Sequence, residues 1–161
     1  MKMRALFGLS VLSGFLAWGL IAGLYAWPEL KTAPLKVALM ALIAPHMFRF
    51  VGLSFLVPGV VSEKLPAEFA GPAAWGDLIA AFLAMAAMLG VANDAPWALV
   101  AVWIFNVFGT IDLLNAMYQG PRKLDAVGPG VLGAAFYIPT LLVPGLLASH
   151  VLIFRILLGD V

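Results

Sequence analysis

The 161-residue chain contains no cysteine. That excludes disulfides, thiolate metal sites and thiol chemistry. Charge is scarce as well: 11% of residues are charged, against about 25% in an average soluble domain. The two signs nearly cancel to +1, and Lys2, Arg4, Lys64, Arg122 and Lys123 are scattered rather than clustered. Nucleic acid is therefore not an expected partner. No glycine loop carries the lysine of a phosphate cradle, and no two metal ligands stand at helical spacing. No metal or cofactor is expected, and an enzyme is the less favoured class.

What fills the chain instead is apolar surface, 64% of its residues. A soluble core of this length cannot hide so much, so the expected solvent is the lipid bilayer. Five apolar stretches cover about residues 5–26, 36–57, 74–92, 97–118 and 131–158. Each is long enough for a helix to cross the hydrocarbon core, which takes about 17–25 residues. Backbone groups in lipid must bond internally, and the short alternating strands of a β-barrel are missing. The expectation is all-α: one polytopic transmembrane helical bundle, residues 1–161, with about five spans. The basic start precedes an apolar run of about 20 residues, longer than the 7–15 of a signal peptide, so it reads as a retained first span. Residues 58–73 read as an interfacial connection. Pro139 and Pro144 predict a kinked or broken last span.

The flanks suggest an orientation. Lys2, Arg4, Lys64, Arg122 and Lys123 fall on one side; Lys31, Lys36 and Arg155 fall on the other. The positive-inside rule then puts the N-terminus in the cytoplasm and the C-terminus outside. Trp27, Trp75 and Trp97 lie at expected span ends, as interfacial anchors do. Gly19 with Gly23, and Ala80, Ala84, Ala87 and Gly90, make small faces where helices could approach closely.

Against this background "APHMFRFVG", residues 44–52, is out of place. His46 and Arg49 are three apart, on one side of a helix. A charge at mid-membrane costs about 2.5–3.5 kcal/mol on insertion scales, so Arg49 needs a partner. Depth selects one. Arg49 lies roughly 20 Å into the second span and Asp112 roughly 23 Å into the parallel fourth. His46 and Asn106 match at roughly 15 Å. Two layers follow: His46 with Asn106, and Arg49 with Asp112 and either Asp77 or Asn115. Asp77 also reads as a first-turn carboxylate suited to the dipole of the third helix. His46 also reads as bonding a carbonyl that Pro45 sets free. Asn106 and Asn115 suit interhelical hydrogen bonds, and Arg155 suits a side chain snorkelling to the interface.

His150 is placed roughly 28 Å into the fifth span, too far from His46 for one haem iron to bridge. Ser149 and His150 are adjacent, so they point apart on a helix and make no nucleophile–base pair there. The candidate ligand or proton site is His46, Arg49, Asp77, Asn106, Asp112, Asn115 and His150.

The stretches "HMFRFVGLSFLVPGVVSEKLPAEFAGPAAWGDLIAAFLA", "FGTIDLLNA" and "YIPTLLVPGLLASH" resemble a family of small, uncharacterised bacterial integral membrane proteins. The likeness rests on Arg49, Gly52, Leu65, Pro66, Phe69, Ala70, Gly76, Asp77, Gly109, Asp112, Pro139, Pro144 and His150. It implies a fold and a bacterial inner-membrane home, and no activity.

Three functional classes fit. A buried titratable cluster beside a proline-broken helix suits a protein that binds or passes a small ligand or proton, including a transporter. The same cluster suits an accessory or scaffold subunit, in a homo-oligomer or a larger membrane complex. The third class is an intramembrane enzyme acting on a lipid or isoprenoid, with His46 or Asp112 as acid or base.

Overall fold

The computed structural model describes residues 3–159. These form an all-α bundle with five helices long and apolar enough to cross a membrane: α1 Met3–Leu30, α2 Leu35–Leu56, α3 Ala67–Ala92, α4 Ala98–Lys123 and α5 Ile138–Leu157. A short 3₁₀ segment, Pro129–Phe136, precedes α5. α3 is the hub and packs along both α2 and α4, while α1 leans on α5 at the edge.

Proline shapes the helices without ending them. α1 runs through Pro28 to Leu30, past the expected end of the first stretch near residue 26. A widened π turn, Ala22–Ala26, ends two positions before Pro28 and gives its ring room. The same device precedes Pro144, with a π turn over Ile138–Leu142. α5 is therefore broken as expected, but its span starts at Ile138, seven positions later than the apolar run suggested.

α3 begins at Ala67, not near residue 74, and carries Pro72 within it. Proline is tolerated near a helix start, where amides lack intrahelical partners anyway. Residues 67–73 are thus helix rather than interfacial loop. Trp75 consequently sits eight positions inside α3 rather than at its end. Trp97 does cap the start of α4, and exposed Arg155 lies 3.8 Å over the Trp27 ring near the end of α1. The loop after α2 pairs with the pre-α5 segment: Ser62 N–H donates to Val131 O at 2.9 Å, and Ala134 N–H to Val60 O at 3.0 Å.

Two apolar clusters form the core. One joins Leu39, Ile43, Val102, Phe105 and Ile153; the other joins Phe55, Phe69, Leu113, Leu132 and Val143. The alanine face of α3 is packed as expected, with Ala80, Ala84 and Ala87 fully buried. Gly19 and Gly23 are not: a Cβ at either would meet nothing within 4 Å. Gly14 makes the close approach of α1, under the Thr140 carbonyl.

Candidate functional site

α2 is an α-helix only over Leu35–Ile43; Ala44–Leu56 is 3₁₀. Thirteen residues is long for a 3₁₀ helix, where runs beyond three or four are uncommon. At three residues per turn, side chains eclipse every third position. The buried residues of this stretch are His46, Arg49, Gly52 and Phe55, one column of that period. At about 100° per residue, an α-helix would set residues 46 and 55 on opposite sides. The 3₁₀ winding is thus what turns a histidine, an arginine and a glycine inward together, His46 onto α4 and α5, Arg49 onto α3 and α4, and Gly52 onto α3.

Arg49 is the centre of the site. Its Nε donates to Asp77 Oδ1 on α3 at 2.8 Å. Its Nη2 donates to Asp112 Oδ2 on α4 at 2.5 Å, and its Nη1 to the Gly109 carbonyl at 3.2 Å. The guanidinium side chain is fully buried, and the two carboxylates nearly so. Depth matching therefore finds the ion pair with Asp112 and the place of Asp77. Asp77 lies ten positions into α3, so the first-turn reading fails because the helix starts earlier. Asn115 is exposed on the outer face of α4 and takes no part in the layer.

Three glycines make the layer possible. A Cβ on Gly52 would strike Asp77, one on Gly76 would strike Asp112, and one on Gly109 would fall 2.7 Å from His150 Nε2 and 2.9 Å from Arg49 Nη1. Each polar side chain occupies space that only a glycine leaves free.

The second layer differs from expectation in its pairs. Asn106 bonds His150, not His46: His150 Nδ1 and Asn106 Oδ1 are 2.6 Å apart, and Asn106 Nδ2 donates to the His150 carbonyl at 3.3 Å. His46 Nε2 lies 2.6 Å from Ser149 Oγ. The two imidazoles are 4.2 Å apart between centroids, with Phe105 against both. The expected separation of His46 and His150 was wrong because α5 starts at Ile138. His150 then lies about 18 Å into its span rather than 28 Å, near the middle. A macrocycle between the rings would require them to move apart.

Pro45 explains Ser149. In 3₁₀ winding the Leu42 carbonyl would accept from residue 45, which has no N–H. Ser149 Oγ donates to that carbonyl instead, at 3.2 Å. So a carbonyl is set free, but serine takes it and His46 donates to the serine. Both contacts are satisfied together only with His46 protonated at Nε2. Likewise Asn106, whose amide N–H₂ faces a carbonyl, presents its oxygen to His150 and fixes the proton on Nδ1. The serine hydroxyl gives its proton to a carbonyl, not to the imidazole, which is the wrong sense for an activated nucleophile. Ser149 was missed because adjacency to His150 was weighed within one helix, whereas its partner is on α2. A hydroxyl at mid-span was the available signal.

Two cavities meet at the ion layer. The larger, about 390 Å³, lies between α1, α2 and α5 and runs from Ala22, Ala41 and Ser149 to Arg49 and Asp77. The smaller, about 110 Å³, runs from Phe7, Gly120 and Leu124 to Asp77 and Asp112. Ala22 lies in the second half of α1 and Phe7 at its start, so the cavities occupy opposite halves of the bundle. Asp77 lines both.

A family model described as a domain of unknown function (DUF8737) matches residues 6–158. No curated protein and no solved structure matches the chain.

Proposed function

We propose that this chain, which belongs to the family described as a domain of unknown function (DUF8737), is an integral membrane protein that passes protons across the bilayer through Arg49, Asp77 and Asp112. The observation that carries this reading is Asp77, a carboxylate lining cavities in opposite halves of the bundle. One guanidinium faces two carboxylates. Such a cluster keeps one uncompensated negative charge unless it holds a proton, and an uncompensated buried charge is strongly unfavourable. A proton taken from one cavity and released to the other balances the charge at each stop. Intramembrane ionisable groups commonly mark such relays.

The test is proton flux into liposomes containing the purified full chain under a potassium-diffusion potential. Asp77→Asn keeps the size and hydrogen-bonding capacity of the side chain but holds no exchangeable charge. The expected result is flux in the wild type, reduced to the protein-free level by Asp77→Asn. Equal flux in both, or none in either, overturns the reading.

The larger cavity favours a second reading. Its volume falls within the roughly 300–1,000 Å³ of small-molecule pockets, and its walls are mostly apolar, with Arg49, Asp77 and Ser149 among them. A lipid-soluble ligand with one hydrogen-bonding head fits that chemistry. Native mass spectrometry after gentle extraction tests it: a retained mass of a few hundred daltons supports a ligand, and the bare chain mass contradicts it.

A further inference from the structure

Asp77 on α3 and Ile138 and Val143 on α5 line both cavities, so these residues stand between them. The π turn is what brings the two α5 residues together. In an α-helix, positions five apart are turned by about 140° from each other. In a π turn the hydrogen bond spans five residues, and here Val143 N–H donates to the Ile138 carbonyl. Both side chains thereby reach the same partition. Pro144 favours the wide turn, because it has no N–H for the Thr140 carbonyl four positions back. α1 braces the turn from outside. Trp18 Nε1–H donates to the Leu141 carbonyl at 2.8 Å, and Gly14 lies under the Thr140 carbonyl.

We propose that Ile138 and Val143 make the path selective for protons. With Asp77 they form a septum, across which a proton travels as the O–H of Asp77 while sodium ions, potassium ions and water are held back. The inference rests on the proton reading above and names what that path admits. Both α5 side chains are buried and apolar. Thr140, the polar residue of the turn, lines neither cavity and gives its hydroxyl proton to the Phe136 carbonyl at 2.8 Å. A water molecule inside a protein needs about two to four polar partners, and Ile138 and Val143 offer it none from their side chains. A metal cation would have to shed its own water there, and apolar constrictions stop ions by dewetting. No group of three or more His, Cys, Asp or Glu is placed to hold such a cation among the described residues.

The proton escapes this barrier because it crosses as a covalent bond. A hydronium ion in one cavity gives a proton to the Asp77 carboxylate and becomes water; one O–H breaks and one forms. Arg49 then faces one carboxylate and one carboxylic acid, and the buried cluster is neutral. On the other side the acid gives its proton to water, which becomes hydronium, and the carboxylate returns. With a wet septum, water would join the cavities and protons would bypass Asp77.

The test uses the full chain in liposomes, with proton flux and the uptake of radioactive sodium measured on the same preparation. The wild type should pass protons and take up no more sodium than protein-free liposomes. Val143→Ser shortens the side chain and adds a hydroxyl, and should admit sodium. The double variant Asp77→Asn/Val143→Ser should pass protons about tenfold or more faster than Asp77→Asn alone, through water rather than the carboxylate. Val143→Ile keeps the septum apolar and should stay sodium-tight. Where Val143→Ser does not fold, Ile138→Ala opens the same septum. Sodium uptake by the wild type, or an opened septum that neither admits sodium nor restores proton flux to Asp77→Asn, overturns the inference. Proton flux retained by Asp77→Asn overturns the ion-layer reading instead, and the septum is then decided by sodium uptake alone.

Discussion

Replacing Arg49 with methionine keeps most of the side-chain volume and removes the guanidinium. Two ion pairs disappear with it, at 2.8 Å to Asp77 and 2.5 Å to Asp112. At an effective dielectric of about 20, each pair at about 4 Å between charge centres is worth about 4 kcal/mol of attraction. Desolvation of the three groups offsets much of that, so the net value of the assembled layer is small. Breaking it is another matter. The variant strands two carboxylates beside each other, and the expected cost is about 3–5 kcal/mol. The triple variant R49M/D77N/D112N removes every charge and is expected to regain most of that loss. The assay is reversible unfolding in mixed micelles, titrating sodium dodecyl sulfate and following helicity. An R49M variant within 1 kcal/mol of wild type, or a triple variant no better than R49M, refutes the layer as described. A stable triple variant without proton flux would separate the architecture of the cluster from its work.

The glycines give a matched pair of tests. Gly76→Ala drives a Cβ into Asp112 and should cost about 1–3 kcal/mol by overpacking, whereas Gly19→Ala, in open space, should be neutral or slightly stabilising by helix propensity; micelle unfolding reads both. Pro45→Ala supplies an N–H for the Leu42 carbonyl, so Ser149→Ala should cost about 1 kcal/mol in the wild type and markedly less in the Pro45→Ala background. Equal costs in the two backgrounds would remove the explanation given for Ser149.

Much of this was legible in the sequence because lipid enforces simple rules. Five apolar runs gave five helices, and the cost of a mid-membrane charge pointed from Arg49 to Asp112 by depth alone. What failed did so for local reasons. Glu68, Gly71 and Pro72 looked like loop, yet they open α3, and that error misplaced Asp77 and Trp75. The apolar run before Ile138 hid the start of α5, and seven residues of error separated two histidines that touch. The 3₁₀ winding of α2 was present as a pattern, His46, Arg49, Gly52 and Phe55 at period three. A period of 3.6 was assumed, and the column was not seen. The glycines facing Asp77, Asp112 and His150 carry no mark in a single sequence, since a glycine in a helix looks the same whether it meets lipid or a carboxylate.

The central claim is that Asp77 is reached from opposite sides of the membrane. The absence of cysteine makes the measurement direct. Ala41→Cys places a thiol in the larger cavity and Ala116→Cys one in the smaller. Each is exposed in oriented vesicles to a charged, membrane-impermeant thiol reagent from one side at a time. The account predicts that Ala41→Cys reacts from one side only and Ala116→Cys from the other only. Labelling of both from the same side, or of neither from any, would contradict it.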